Sequence, residues 1–253
     1  DTMLSKLQGN VVKLIRRMRH QNEMTRQEQE RMKGIISDLS HQLKTPLANL
    51  KMYSRFLQKE ELSEKQYREY VDIICLSVER LNFLSENMIK ISRLETGLIH
   101  LKCQKNKISE TVLKAVKDIY PKARHMGCEI IYREDREKEL WAQFDADWTA
   151  EAIFNMLDNA VKYSENAQNN SIILSVRKLG LFAEISVEDQ NGSIPEEEKN
   201  RIFRRFYRGG NSEGKEGIGL GLYLTREIAL RQGGYVSVKA MEQGNIFSIY
   251  LRL

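Results

Sequence analysis

The sequence predicts two domains of different class. An antiparallel helical hairpin, pairing with a second copy as a four-helix bundle, precedes an α/β sandwich. Three observations lead there. Apolar residues recur every seven positions in the first hundred residues, the pattern changes near Thr96-Gly97, and short strand-like runs alternate with helices from Lys107 onward. A length of 253 residues suits one or two domains. With 41% hydrophobic and 30% charged residues the chain is too apolar to be disordered, and its 3 prolines favour long helices.

The first arm of the hairpin carries Ile36, Leu43, Leu50 and Leu57 at heptad spacing, with Leu39 and Tyr53 between them. The second carries Tyr67, Ile74, Leu81 and Met88, with Tyr70, Leu84, Ile91 and Leu98 offset by three. Arms of about 25–30 residues are expected, and two helices alone bury two such seams poorly, so dimerisation completes the bundle. Lys59 to Glu64 separates the arms, and Ser63 with Gln66 reads as a capping box. The domain bounds predicted are 1–33 for an entering signalling helix, 34–98 for the hairpin, 99–106 for a linker and 107–253 for the sandwich. In the sandwich, 129–132, 171–176, 182–187 and 245–251 read as strands of a mixed sheet, and 147–163 and 219–232 as helices on one face of it.

Charge and cysteines restrict the setting. Residues 1–35 hold eight Lys or Arg against four Asp or Glu. A juxtamembrane segment, a nucleic-acid contact and a solvated helical face all fit that charge. With no basic patch interleaved with aromatics elsewhere, no nucleic-acid partner is expected. No run of about 18 apolar residues occurs, so no membrane span is expected. Cys75, Cys103 and Cys128 match no zinc spacing and fit a reducing compartment.

Five segments have the composition of chemistry. His41 falls on the outward face of the first arm, where a lone histidine reads most simply as an ordinary surface residue. Pro46, four residues past Gln42, removes a helical hydrogen bond and predicts a local bend. Neutral imidazole is also a competent nucleophile near pH 7. Asn155 and Asn159 stand one helical turn apart, and paired neutral oxygens suit Mg²⁺ together with phosphate. Glu151 and Lys162 extend the same stripe, and Tyr163 offers a ring to a base. A polar helix surface fits these residues equally well. Asp189 at a strand end suits an exocyclic amine, or is simply a turn aspartate. Phe203 to Arg208 places aromatics among arginines, as an anchored lid or an amphipathic helix end would. Gly217, Gly219 and Gly221 run into a helix, which suits phosphate, or form a flexible linker.

Taken in order, these segments resemble the sensor histidine kinases of two-component systems. Ser40 to Leu47 matches the H-box, Asn155 to Ser164 the N-box, and Asp189 onward the G1-box. Phe203 to Phe206 matches the F-box and Gly217 to Leu222 the G2-box, so the resemblance covers about residues 34–253. It implies a phosphoacceptor hairpin followed by an ATP-binding domain of Bergerat-type fold. His41 would attack the γ-phosphate of ATP and pass the phosphoryl group to an aspartate of a response-regulator receiver domain. Asn159, assisted by Asn155, would hold Mg²⁺. Lys162 would contact phosphate, Tyr163 would lie beside the nucleotide, and Asp189 would bind the adenine amine. Gly217, Gly219 and Gly221 would line the phosphates under a lid at 208–217, with Arg205 and Arg208 as further phosphate contacts. The resemblance further implies a homodimer and the cytoplasmic portion of a membrane-anchored bacterial protein, its sensor segment upstream of this chain.

Two departures from the family pattern stand out. Gln42 follows His41 where an acidic residue is usual, and an amide accepts no proton as a general base. Thr45 matches the position linked to regulator dephosphorylation, and a Gln42/Thr45 pair is suited to orienting a water. In the G1-box, Asn191 and Ser193 occupy glycine positions. Asn191 is expected to hold a left-handed turn and Ser193 to crowd the pocket, weakening nucleotide binding. A phosphatase-biased or non-catalytic dimeric scaffold is the alternative reading.

Overall fold

In a computed structural model, residues 3–59, 62–95, 101–134, 139–164, 170–210 and 217–253 are described. The chain divides into two compact units, residues 1–83 and Leu84–Leu253. Helix α1 spans Met3–Phe56 and α2 spans Glu64–Glu95. The first arm is longer than its heptads predict, because the helix over residues 3–33 continues without a break into it. Nor does Pro46 end that helix. The ring is buried, and packing on a buried face offsets the one backbone bond that proline removes.

Between the arms, Ser63 accepts at Oγ from the Gln66 N–H (3.3 Å) and its own N–H donates to Gln66 Oε1 (3.1 Å). The expected capping box therefore starts α2. Tyr53, Phe56 and Tyr70 cluster near this end, with ring centroids 5.3–5.8 Å apart. The expected heptad phase holds: Leu39, Leu43, Leu50, Tyr53 and Leu57 on α1 and Tyr70, Ile74, Leu81 and Met88 on α2 are half-buried, and Leu84 and Ile91 are buried. The exceptions are the first position of each run, Ile36 at 57% and Tyr67 at 54% exposed, with Ile35 buried in place of Ile36.

The second unit is an α/β sandwich. Its strands are β1 (Gln104–Lys107), β2 (Glu129–Glu134), β3 (Trp141–Phe144), β4 (Ser171–Leu179), β5 (Phe182–Asp189), β6 (Tyr235–Met241) and β7 (Gly244–Arg252). Its helices are α3 (Ile108–His125), α4 (Ala146–Tyr163) and α5 (Gly221–Arg231). The main sheet runs β2-β4-β5-β7-β6, with β2 parallel to β4 and the other pairs antiparallel. It is mixed, as expected. Gln104–Lys107 pairs with β3, so the end of the expected linker belongs to this unit, while residues 99–100 lie outside the described residues.

Alternation builds the core. Ile172, Leu174 and Val176 on β4, Ala183, Ile185 and Val187 on β5, and Phe247, Ile249 and Leu251 on β7 are at most 2% exposed. They meet Ile153, Met156, Leu157, Ala160 and Val161 of α4, also at most 1% exposed. Helix α3 presents Ile108, Val112, Ala115 and Ile119, fully buried at helical spacing. The end of α2 belongs to the same unit, with Leu84, Ile91 and Leu94 buried and Lys90 ion-paired to Glu151 of α4 (2.7 Å).

Asp145 sets the start of α4. Its Oδ1 accepts from the N–H groups of Asp147 and Trp148 (both 3.1 Å), and its Oδ2 accepts from the Lys102 N–H (2.8 Å). Replacing Asp145 by alanine strands these donors in a half-buried position. Unfolding stability is expected to fall by about 1–2 kcal/mol, read as a lower denaturant midpoint at unchanged slope.

Candidate functional site

Asp189 ends β5 opposite Asn245 of β7 and is 2% exposed. Its Oδ1 accepts from the Asn191 N–H (3.1 Å), the Asn245 N–H (3.2 Å) and Asn245 Nδ2 (3.3 Å). These three donors converge on Oδ1. Burial raises the carboxyl above its ordinary value, and the hydrogen bonds from Asn191 and Asn245 work against that rise. Gly244 must be glycine here. Its φ is +113°, and a Cβ would lie 1.9 Å from the Asp189 carbonyl oxygen.

The turn after Asp189 departs from expectation. Phe206 is the one non-glycine residue with positive φ among those described, so neither Asn191 nor Ser193 is left-handed. Ser193 is exposed. Asn191 works through its side chain instead, donating from Nδ2 to the Ala160 carbonyl of α4 (3.2 Å) while its buried Oδ1 has no partner. The turn is thus held to α4 without the conformational freedom of glycine.

On α4, Asn155 and Asn159 are half-buried one turn apart, as their spacing predicts. Asn155 Nδ2 donates to the Glu151 carbonyl (2.9 Å). Its Oδ1 would be 3.0 Å from a Cβ on Gly221 at the start of α5. The two predicted motifs therefore touch. Lys162 is ion-paired with Asp158, which Lys122 of α3 also engages at 2.6 Å. The lysine expected at phosphate is here held by a carboxylate shared between two cations. Tyr163 is half-buried at the end of the same helix.

The glycine loop docks on the F-box segment. Gly217 and Gly219 have φ of +130° and +76°, while Ile218 and Leu220 between and after them are buried. Phe206, at φ +56°, donates its N–H to the Gly219 carbonyl (2.9 Å). Arg208 is exposed. Residues 211–216 of the expected lid lie outside the described residues.

Arg205, expected at phosphate, lies over the Tyr223 ring (5.3 Å) and beside Glu95 of α2 (3.8 Å), and Glu95 also accepts from the Tyr223 hydroxyl. Its Nη1 is buried without a hydrogen-bond partner. The structure thus brings Asn191, which binds Asp189, and Gly221 against α4 at Ala160 and Asn155, and sets Gly219 against Phe206 and Tyr207. His41 and Thr45 are exposed and Gln42 half-buried on α1, in the other unit.

Sequence reasoning missed Asn245, Gly244, Lys122 and Glu95. A turn signal at Gly244-Asn245 was readable, but nothing in the local pattern ties Asn245 to Asp189. Among the described residues no cluster of three or more His, Cys, Asp or Glu is placed for a metal ion, and no described helix is long and apolar enough to cross a membrane.

A strand-end carboxylate, paired helix asparagines and a left-handed glycine loop on one sandwich define an ATP-binding domain, here following a helix with an outward histidine. Family comparison agrees. Residues 31–97 match the His Kinase A (phospho-acceptor) domain, and residues 144–253 match the histidine kinase-, DNA gyrase B- and HSP90-like ATPase family. The chain is 27% identical over 260 residues to histidine protein kinase SaeS of Staphylococcus epidermidis, covering 98% of this chain and 71% of that protein. It is 29% identical to the probable sensor protein PcoS of Escherichia coli, covering 87% of this chain and 47% of that one. It is 28% identical to the signal transduction histidine-protein kinase/phosphatase MprB of Mycobacterium sp. strain KMS, covering 84% and 41% respectively. In fold it resembles Acinetobacter baumannii histidine kinase AdeS (TM-score 0.64, 18% identity, covering 84% of this chain and 97% of that one). It also resembles histidine kinase ThkA, solved in complex with response regulator protein TrrA (TM-score 0.69, 19% identity, covering 86% and 60%). The chain belongs to the sensor histidine kinases of two-component systems. Its enzyme class is protein histidine kinase, which phosphorylates its own histidine from ATP and transfers the phosphoryl group to a response-regulator aspartate.

Proposed function

We propose that His41 Nε2 is the phosphoacceptor and that Asp189, Asn155, Asn159 and the glycine loop bind the ATP that supplies the phosphoryl group. The observation that carries this reading is the Asp189 carboxylate. It is buried at the end of a sheet and oriented by donors gathered on Oδ1, which suits recognition of an adenine amine. Glycine backbone around Gly219 receives phosphate oxygens, and the start of α5 adds a favourable dipole. Asn159 and Asn155 have the neutral oxygens that suit Mg²⁺, which when bound neutralises phosphate charge. Lys162 reaches phosphate by exchanging Asp158 for the nucleotide. Lys122 then remains as the partner of Asp158.

Gln42 orients the imidazole without taking its proton, so His41 gives that proton to water or to another base. Gln42, half-buried beside the histidine, and the exposed Thr45 are suited to orienting a water for regulator dephosphorylation. The active unit is a homodimer, supported by the exposed apolar Met32, Ile36 and Leu47 along α1. The partner in phosphotransfer is a response-regulator receiver domain, as ThkA with TrrA illustrates. Placement on the cytoplasmic side of a membrane-anchored protein fits the basic residues 1–35. The scaffold alternative loses its main support because the turn at Asn191 and Ser193 is unstrained.

Incubation with ATP labelled at the γ-phosphate and Mg²⁺ tests the reading. Protein-bound label that is lost in acid and kept in base is the expected result. A folded protein that binds ATP yet takes up no label would overturn it.

A further inference from the structure

We propose that Asn245 is a positioning residue for nucleotide recognition: it fixes the rotation of the Asp189 carboxylate and clasps the turn that follows it. The proposal rests on the reading of Asp189 as the adenine acceptor and extends it to a residue that touches no substrate.

Burial makes the case. Asn245 is 2% exposed, and an amide withdrawn from water is costly unless its donors and acceptor are used. Its Nδ2 donates to Asp189 Oδ1 (3.3 Å) and to the Gly192 carbonyl (3.1 Å), and its Oδ1 accepts from the Ile194 N–H (2.9 Å). Its backbone N–H adds a further bond to Asp189 Oδ1 (3.2 Å). One side chain thus bridges the carboxylate to both halves of the turn.

Two consequences follow. Donors converge on Oδ1 from the Asn191 backbone and from both nitrogens of Asn245, so the rotation of the carboxylate is fixed. The turn is also held from outside. Its Gly192 carbonyl and Ile194 N–H are satisfied by Asn245, and no residue from Asn191 to Ile194 has a positive φ. A turn clasped in this way needs no glycine at Asn191 or Ser193, which accounts for the departure from the family pattern at those two positions.

The geometry demands an amide of this length. Alanine removes all the side-chain bonds. Aspartate turns the Nδ2 donors into acceptors and sets a second carboxylate against Asp189. Serine keeps one short hydroxyl that cannot reach Asp189, Gly192 and Ile194 together.

The test compares ADP with IDP, which lacks the exocyclic amine, by titration calorimetry on the whole chain. Wild type is expected to prefer ADP, and Asp189→Asn to lose that preference. Asn245→Ala is expected to weaken ADP binding by about 10- to 100-fold while changing IDP binding little, so that the preference collapses. A merely structural residue would weaken both nucleotides alike, and that outcome, or unchanged ADP binding, overturns the proposal. If Asn245→Ala does not fold, Asn245→Ser gives the same reading, with a smaller loss of ADP preference expected and an unchanged ratio overturning the idea. A wild-type protein indifferent to the amine overturns the reading of Asp189 itself, and the inference with it.

Discussion

His41→Ala takes up no acid-labile phosphate from γ-labelled ATP, while its helix content, its thermal unfolding and its ADP affinity stay at wild-type levels. Loss below detection is expected because the reaction forms a bond to one atom of one side chain. Phosphoryl transfer asks the protein mainly for positioning and charge neutralisation, and neither helps without the nucleophile. Stability is spared because His41 is exposed on α1 and alanine is the best helix former. Exposed substitutions of this kind usually stay within about 0.5 kcal/mol. Ordinary ADP affinity is expected because the nucleotide residues all lie in the other unit. Label retained at wild-type level in His41→Ala would move the phosphoacceptor elsewhere, with His20, His100 and His125 the remaining histidines.

Gly219→Ala is expected to lose at least 100-fold in ADP affinity with the sandwich still folded. Two independent costs fall on this position. A φ of +76° costs a residue with a side chain about 1–2 kcal/mol. The added Cβ would also stand 2.4 Å from the Tyr207 carbonyl oxygen and 2.9 Å from the Phe206 carbonyl carbon. Neither contact is with a flexible side chain, so backbone must move. The movement breaks the Phe206 N–H bond to the Gly219 carbonyl and separates the glycine loop from the F-box segment. Gly217→Ala is the internal comparison. Its φ is +130° but nothing lies within 4 Å of the added carbon, so it meets conformational strain alone and loses less. Calorimetric titration of both variants checks the order. Equal losses would show that backbone strain, not the contact with Tyr207, decides the site.

Much of this architecture is legible in the linear sequence because its signals are local. A heptad places His41 outward whatever the helix packs against. Ser63 and Gln66 form their capping box within four residues. The asparagines of α4 share a face because a helix turns every 3.6 residues. Strand alternation at 171–176 reports burial on one face of a sheet, whereas the central strands at 182–187 and 245–251 are buried on both faces. Glycines before a helix announce a close backbone approach, and Gly219 shows the one that occurs. Helix α3 had a readable stripe in Ile108, Val112, Ala115 and Ile119, which Pro121 near its end obscured.

Other features depend on which distant groups meet. Ile35 rather than Ile36 is buried, a choice between adjacent apolar positions that spacing alone does not make. Arg205 lies beside Glu95 and over Tyr223, more than a hundred and some twenty residues away in opposite directions along the chain, a meeting that only folding decides. Asn191 needs no left-handed backbone, since Ala160 and Asp189 hold it through hydrogen bonds. The turn signal at Gly244-Asn245 does not reveal the partner of Asn245. Its meaning comes from register, which sets it across the sheet from Asp189, 56 positions earlier in the chain. Periodicity and backbone propensity act over a few residues and survive in the linear order. The pairing of a buried polar group is decided only when tertiary packing removes the water that would otherwise have satisfied it.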